Sequence, residues 1–229
     1  MSTISKLISL LLFVSASCED SACKAIRYDL EVYVEISPAD TLYRTTDTVT
    51  LTFNAPVNLT NRSNNQVETV ELFDVGYELY FFRLDSVSEE EFRMDNTYDN
   101  IRVLQHASNV RTDFTPGTVY FNPELQGDTA YVSTLSFSFR NPGVYFMQFN
   151  GFTDEDIILS GENLRDRVVL KDGCPKAIYE DFIQVNGGAN NNVDILCETR
   201  EEMCTINNLL SNRTEAFDRA GGYIFKVRK

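Results

Sequence analysis

The sequence contains no tryptophan and only one histidine, His106. Ser/His/Asp triads, Cys/His pairs and most zinc sites need at least one well-placed histidine, and the residues around His106 form no such pattern. A phosphate-binding Gly-rich loop, a dinucleotide-binding fingerprint and an HExxH motif are absent as well. We therefore predict a protein that is not an enzyme, with no catalytic residue, no metal site and no cofactor.

Basic side chains are scarce, since 20 Lys and Arg stand against 34 Asp and Glu, for a formal net charge of −14. This field repels nucleic-acid phosphates and anionic lipid headgroups, so we predict no nucleic-acid partner and no electrostatic membrane attachment. The acidic excess is expected to serve solubility, with a basic partner or a bound cation as the alternative. Residues 95–100 and 154–156 offer oxygen ligands for calcium, but neither segment has EF-hand spacing.

Carboxylates leave one enzymatic alternative open. In glycoside hydrolases two carboxyl groups lie about 5 to 10 Å apart, and that separation is a property of tertiary structure rather than of sequence. A secreted carboxylate-dependent hydrolase is therefore kept as an alternative, although the absence of tryptophan argues against a sugar-processing cleft.

The apolar run at residues 7–14 is too short to cross a bilayer. It follows a brief start containing Lys6 and ends in the small residues Ser15, Ala16 and Ser17. A short positive start, a brief apolar stretch and small residues are typical of a secretory signal. We predict that residues 1–17 are a signal peptide that is removed during export.

Cys18 follows these small residues directly and precedes Glu19 and Asp20. A small-residue stretch that ends in cysteine resembles a bacterial lipoprotein signal, in which the cysteine becomes the first mature residue and carries acyl chains. The resemblance implies that Cys18 is lipidated, that residues 18–24 form a tether and that a lipid bilayer is a partner. Each buried acyl CH₂ contributes about 0.8 kcal/mol, so several chains would hold the domain stably on a membrane.

An ordinary signal peptidase cutting at the same bond would instead release a freely secreted protein. In that alternative Asn58, Asn61 and Asn212 are formal N-glycosylation acceptors.

The other four cysteines are disulfide candidates for an oxidising compartment, and the sequence does not choose among their three possible connectivities. A zinc knuckle is disfavoured because six residues separate the last two. The candidates are Cys23, Cys174, Cys197 and Cys204.

Alternation of apolar and polar residues predicts most of the secondary structure. Residues 26–36 alternate over their whole length, which predicts a strand with one buried face. Residues 48–53 repeat the pattern, with threonines expected to point outward. Residues 54–66 and 86–100 are predicted as loops. Further strands are predicted at 67–73, 77–84, 129–140, 143–150, 177–185, 193–197 and 223–227.

Turn residues suggest how these strands connect. Asn141-Pro142-Gly143 predicts a hairpin between 129–140 and 143–150. The Asn- and Gly-rich residues 186–192 predict a second, C-terminal hairpin. A capping box that begins at Thr199 predicts one short helix after it. The phrase Phe-Arg-Asn-Pro-Gly-Val-Tyr-Phe also resembles the late strands of bacterial immunoglobulin-like domains.

We therefore predict a mainly β protein, an immunoglobulin-like antiparallel β-sandwich with a C-terminal β-hairpin and one short helix. Residues 25–152 are expected to form the sandwich, and residues 153–229 to pack on the same domain. The overall layout resembles small surface or periplasmic lipoproteins of Bacteroidota-type bacteria. That resemblance implies attachment to the outer membrane, with a non-catalytic binding or structural role. Secretion is the alternative location, and a protein or glycan partner is left open.

Overall fold

The computed structural model describes residues 27–85, 100–108, 110–113, 118–151, 168–173, 178–188, 192–199, 217 and 221–229. These residues form a nine-stranded and a six-stranded sheet, with one short α-helix. The predicted mainly β sandwich is therefore confirmed. In chain order the elements are β1 (Arg27–Ser37), β2 (Leu42–Arg44), β3 (Val49–Pro56), β4 (Asn58–Asn61), β5 (Gln66–Phe73), β6 (Tyr77–Arg83), β7 (Ile101–His106), β8 (Val110–Asp113), β9 (Thr118–Phe121), β10 (Glu124–Gln126), β11 (Ala130–Phe139), β12 (Gly143–Gly151), β13 (Val168–Leu170), β14 (Ile178–Val185), a 3₁₀ turn (Asn186–Gly188), α1 (Val193–Thr199) and β15 (Tyr223–Arg228).

Strand β1 lies in the middle of the nine-stranded sheet. Val34 is in register with Phe53 of antiparallel β3 and with Val185 of parallel β14, so these two strands flank β1 on opposite sides. Strand β11 continues the sheet beyond β3 and carries β7 and β10 on its far side. Leu30 is in register with both Asp181 of β14 and Asn61 of β4, so β4 lies on the same side of β1 as β3, and β5 and β13 follow β4 in the sheet.

The six-stranded sheet has the order β2-β15-β12-β6-β9-β8. Its β15–β2 pair is parallel, as is the β1–β14 pair in the other sheet. The sandwich is therefore not purely antiparallel, which departs from the prediction. Strands β14 and β15 enter different sheets, so the C-terminal third of the chain contributes to both layers.

Aromatic side chains from both sheets fill the space between them. Phe53 of the nine-stranded sheet lies 4.5 Å from Tyr77 of the six-stranded sheet, measured between ring centroids. Phe139 lies 5.1 Å from Phe225 in the same way. Such ring pairs contribute about 0.5–1.5 kcal/mol each beyond the burial of their area. The chain thus builds its core from phenylalanine and tyrosine in place of tryptophan.

The predicted hairpin around Pro142 is wrong. Strand β11 pairs within the nine-stranded sheet, whereas β12 pairs with β6 and β15 of the other sheet. The Pro-Gly turn bends the chain as expected, but the chain passes from one layer to the other. The hydroxyl of Tyr145 donates to the carbonyl of Asn141 (3.0 Å) and braces this crossover. A Cβ at Gly143 would lie 2.9 Å from Arg83 Nε and 3.0 Å from Asp85 Oδ1, so a larger residue there would displace these two side chains.

The predicted C-terminal hairpin is also wrong in its second arm, because residues 193–197 belong to α1. Asn192 has a positive φ of 55°, which turns the chain out of strand geometry. The predicted helix cap, Thr199, is instead the last residue of α1, and its hydroxyl donates to the carbonyl of Ile195 (2.7 Å). Residues 200–216, where the short helix was predicted, lie outside the described residues.

The predicted loop at residues 54–66 contains a further strand, β4. Leu59 is fully buried there, and β4 pairs with both β1 and β5. Strand β10 is joined to β11 by a type I′ turn, since Gly127 and Asp128 both have a φ of 57°. This turn type matches the twist of the strands it connects.

Strands β4 and β10 were not predicted, because strands this short contain too few residues to show an alternation of apolar and polar side chains.

Candidate binding surface

The outer face of the six-stranded sheet is covered by apolar groups. Phe82, Phe146 and Ile224 point outward from the sheet and pack with Leu196 of α1 and with Phe217. The rings of Phe82 and Phe146 are stacked at 5.8 Å, and Phe217 lies 5.5 Å from Phe146. All five side chains are buried. This face therefore forms a second, smaller core and is not a free surface.

Helix α1 is fixed over that core by polar contacts at its two ends. The side-chain amide of Asn192 donates to the carbonyl of Ile224 (2.7 Å), and Lys226 pairs with Glu198 at 2.8 Å. The ion pair is largely exposed, so it contributes at most about 1 kcal/mol. Leu196, with the partly buried Val193 and Ile195, adds apolar contacts with the same core.

The outer face of the nine-stranded sheet is different, because its central positions carry short polar side chains. Thr50 and Thr52 on β3 alternate with core residues, as do Thr134, Ser136 and Ser138 on β11. Thr50 is in register with Ser136, and their hydroxyl oxygens are 3.0 Å apart. All five are half-buried, and their small size leaves a flat surface that solvent reaches. We call these five residues the hydroxyl face.

Charged side chains lie at the rim of the hydroxyl face. Glu35 on β1 is in register with Thr52, and Glu124 on β10 is in register with Val132. Both are exposed, and neither makes a hydrogen bond or an ion pair within the described part of the chain. Arg102 on β7 is an exposed cation at another position of the rim. Neighbouring strands are about 4.8 Å apart, so β1 and β10 are separated by about 14 Å.

Asn54 adds an unsatisfied acceptor to this face. It lies on β3 between Tyr33 of β1 and Val132 of β11, and its Oδ1 is buried with no hydrogen-bond donor in the described structure. An unpaired amide oxygen lowers stability unless another group donates to it.

A second polar group lies beside the hydroxyl face and is organised around Glu31. Its carboxylate accepts hydrogen bonds from Gln184 Nε2 (2.9 Å) and from the Tyr33 hydroxyl (3.2 Å). Arg62 Nε lies 3.7 Å from the same carboxylate. Burial, followed by the charge of Glu31, raises the pKa of Tyr33. We call these four residues the Glu31 cluster, and its charges are matched internally.

The predicted attachment and disulfide residues fall mostly outside the described part of the chain. Cys18, Cys23, Cys174 and Cys204 all do so, and lipidation of Cys18 stays a prediction. Cys197 lies on α1 and is half-buried, and no other candidate cysteine is among the described residues. The connectivity of the four candidates also stays a prediction.

Calcium binding by the two acidic segments stays an untested alternative. Residues 95–99 and 154–156, considered for calcium, lie outside the described residues. Within the described ranges no group of three potential metal ligands comes together, and no helix there has the length and hydropathy of a membrane span. His106 is exposed at the end of β7, with Nδ1 2.9 Å from the carbonyl of Ala107.

The two described glycosylation acceptors differ in accessibility. Asn58 is exposed on β4, whereas Asn61 is only 1% exposed. Asn61 Oδ1 accepts hydrogen bonds from the backbone N–H of Asp29 (3.2 Å) and of Ser63 (3.2 Å), and from the Ser63 hydroxyl (2.7 Å). Its amide is thus committed to holding the β4–β5 turn. Asn212 lies outside the described residues.

Neither a family model nor a curated protein matches the sequence. Among solved structures, the chain is similar to the human F-spondin reeler domain, at 10% identity and a TM-score of 0.32, with 69% of this chain and 87% of that chain covered. It is also similar to a type II cohesin domain from the cellulosome of Acetivibrio cellulolyticus, at 13% identity and a TM-score of 0.30, with 66% and 91% covered. These similarities assign no partner, ligand or activity to this chain.

Proposed function

We propose that the chain is an exported, non-catalytic binding domain that is tethered to the outer membrane through acylated Cys18 and presents the hydroxyl face to a protein partner. The observation that carries this proposal is the difference between the two outer faces. One is covered by apolar side chains and α1. The other is flat and polar, and Glu35 and Glu124 at its rim make no hydrogen bond or ion pair with the residues that the structure describes.

A macromolecular partner suits this surface better than a small ligand does. Small-molecule sites are concave and bury most of the ligand. The hydroxyl face is instead a pleated surface of short side chains over two adjacent strands, without bulky groups at its centre. Such a surface is complementary to another flat protein surface, where shape and hydrogen bonds set the orientation.

The tether is short in this proposal. Nine residue steps separate Cys18 from Arg27, where β1 begins. Even fully extended, that segment spans about 30 Å. The domain would therefore remain close to the membrane, within reach of other envelope proteins.

The tether is tested by expressing the full chain in a Gram-negative host and measuring the mass of its mature N-terminus. We expect cleavage before Cys18, a mass increase from acyl chains and recovery in the membrane fraction. The Cys18→Ala variant should lose both, whereas Cys23→Ala, the matched control, should keep them. An unmodified Cys18 at the cleaved N-terminus would remove the tether from the proposal and favour the freely secreted protein.

The binding face is tested separately by placing a photo-crosslinking residue at Thr134, in cells of the organism that produces the protein. We expect a discrete adduct that disappears when Thr52→Arg is added on the same face. A crosslinker at Asp194 on α1 serves as the control for the opposite, covered side. Adducts that are equal at both positions, or that are insensitive to Thr52→Arg, would contradict a role for the hydroxyl face.

A further inference from the structure

We infer that the partner of the hydroxyl face is a basic protein surface, whose lysine or arginine side chains contact Glu35 and Glu124. This inference rests on the proposed function and specifies the chemistry of the partner.

The carboxylates of Glu35 and Glu124 differ from that of Glu31 in the contacts that they make within the protein. Glu31 is half-buried, accepts two hydrogen bonds and has Arg62 beside it. Glu35 and Glu124 are exposed and have no such contacts in the described structure. Charged side chains that fold into no internal network remain available to a partner. Glu35 and Glu124 can each form an ion pair with a lysine or arginine side chain of that partner.

The positions of these carboxylates suit a surface rather than a single ion. They lie on β1 and β10, about 14 Å apart, with the hydroxyl face between them. One cation could not contact both. Two basic side chains on a flat partner could, while its centre packs on the threonines.

The charge of the whole protein acts in the same direction. With a formal net charge of −14, the chain attracts basic partners over long range and repels acidic ones. Complementary charge at the rim of an interface raises the association rate and fixes the orientation. Arg102, the exposed cation at the end of the hydroxyl face near Ser138, makes the pattern asymmetric. The partner would therefore dock in one orientation.

The inference is tested with charge-matched double variants and a fluorescein-labelled decalysine peptide as the probe. Glu35→Lys/Glu124→Lys and Asp172→Lys/Asp194→Lys both change the formal net charge from −14 to −10, because each substitution adds two units. Asp172 and Asp194 are exposed and lie away from the hydroxyl face. At low ionic strength we expect the first pair to weaken binding at least about 10-fold and the second less than about 3-fold.

The same variants are then compared in the Thr134 crosslinking experiment. We expect the adduct to be lost in Glu35→Lys/Glu124→Lys and retained in Asp172→Lys/Asp194→Lys, with unchanged near-ultraviolet circular dichroism in both. Equal weakening of decalysine binding by the two pairs would overturn the inference, because net charge alone would then explain it. Retention of the adduct in the first pair would also overturn it, yet would leave the hydroxyl face as the binding surface.

Discussion

The guanidinium of Arg62 lies 4.5 Å from the centroid of the Phe182 ring. This contact links the residue that follows β4 with the middle of β14, across the intervening β1. Phe182 is 6% exposed although it points away from the space between the sheets. Arg62 therefore covers an aromatic ring that the outer surface would otherwise expose, and its Nε also faces Glu31.

Replacing Arg62 tests how much its contact with the Phe182 ring contributes to the free energy of unfolding. We expect Arg62→Ala to lower the free energy of unfolding by about 1 kcal/mol, since a partly exposed cation–π contact is worth about 0.5–2 kcal/mol. Arg62→Lys should recover only part of the loss, because an ammonium lacks the planar group that stacks on the ring. Urea denaturation measures both. The control is Arg44→Ala, an exposed arginine on β2, and an equal loss there would contradict the assignment.

Ser133 presents the opposite situation, a polar group without a partner in the core. It is 0% exposed on β11, and its hydroxyl has no hydrogen bond in the described structure. We expect Ser133→Ala to raise the free energy of unfolding by about 1 kcal/mol, because a buried unsatisfied hydroxyl is removed with little change in volume. Ser136→Ala on the same strand should be neutral or destabilising, since it loses the contact with Thr50. Thermal denaturation of the two variants measures both changes in stability. Destabilisation by Ser133→Ala would show that the Ser133 hydroxyl has a hydrogen-bond partner.

Gly221 and Gly127 form a matched pair that separates backbone strain from steric contact. Their φ angles are 60° and 57°. A Cβ at Gly221 would lie 2.7 Å from Ile183 Cγ2 and 3.1 Å from Phe149 Cδ2, whereas a Cβ at Gly127 would meet nothing within 4 Å. Both alanine variants incur about 1–2 kcal/mol for left-handed geometry. Only Gly221→Ala adds the steric contact.

We therefore expect Gly221→Ala to lower the free energy of unfolding by about 3 kcal/mol or more, and Gly127→Ala by about 1 kcal/mol. Guanidinium denaturation measures the difference between the two variants, which isolates the contact with the core. Equal losses would mean that the segment before β15 relaxes freely.

The strands that could be predicted are those in which one side chain in two is buried. β1, β3 and β11 show strict alternation because one face of each packs on the other sheet. The same pattern correctly placed Thr50 and Thr52 on the outer face. The flatness of that face could not be predicted, because it depends on which strands become neighbours.

The predictions of how the strands connect were wrong for a physical reason. Asn141-Pro142-Gly143 dictates a bend, but whether the next strand returns to the same sheet depends on contacts with β6 and β15. Residues 193–197 are apolar enough for a strand, yet they form a helix because Leu196 covers the outer face of the six-stranded sheet. Tertiary packing overrides local preference in both cases. The Glu31 cluster could not be predicted from the sequence either, since its members are far apart along the chain.

Tyr43 gives the fold a predicted dependence on alkaline pH. Its hydroxyl is buried, donates to the carbonyl of Pro38 (2.8 Å) and accepts from the backbone N–H of Asp40 (3.1 Å). Tyr223 donates to the carbonyl of Asp40 (2.8 Å) and secures the same loop. Burial raises the pKa of Tyr43 above its ordinary value of 10.0, although the hydrogen bond from Asp40 opposes the shift.

A raised pKa for an acid means that the folded chain keeps the Tyr43 proton at pH values where the unfolded chain releases it. The stabilisation is fully present below about pH 10 and is lost as the pH rises further, by up to about 1.4 kcal/mol per pH unit. Tyr43→Phe should be less stable at neutral pH, because it lacks both hydrogen bonds, but its stability should fall less steeply above about pH 10. Urea denaturation between about pH 8 and 11 measures both slopes. Parallel slopes for wild type and variant would mean that Tyr43 ionises equally in the folded and unfolded chains, which its burial opposes.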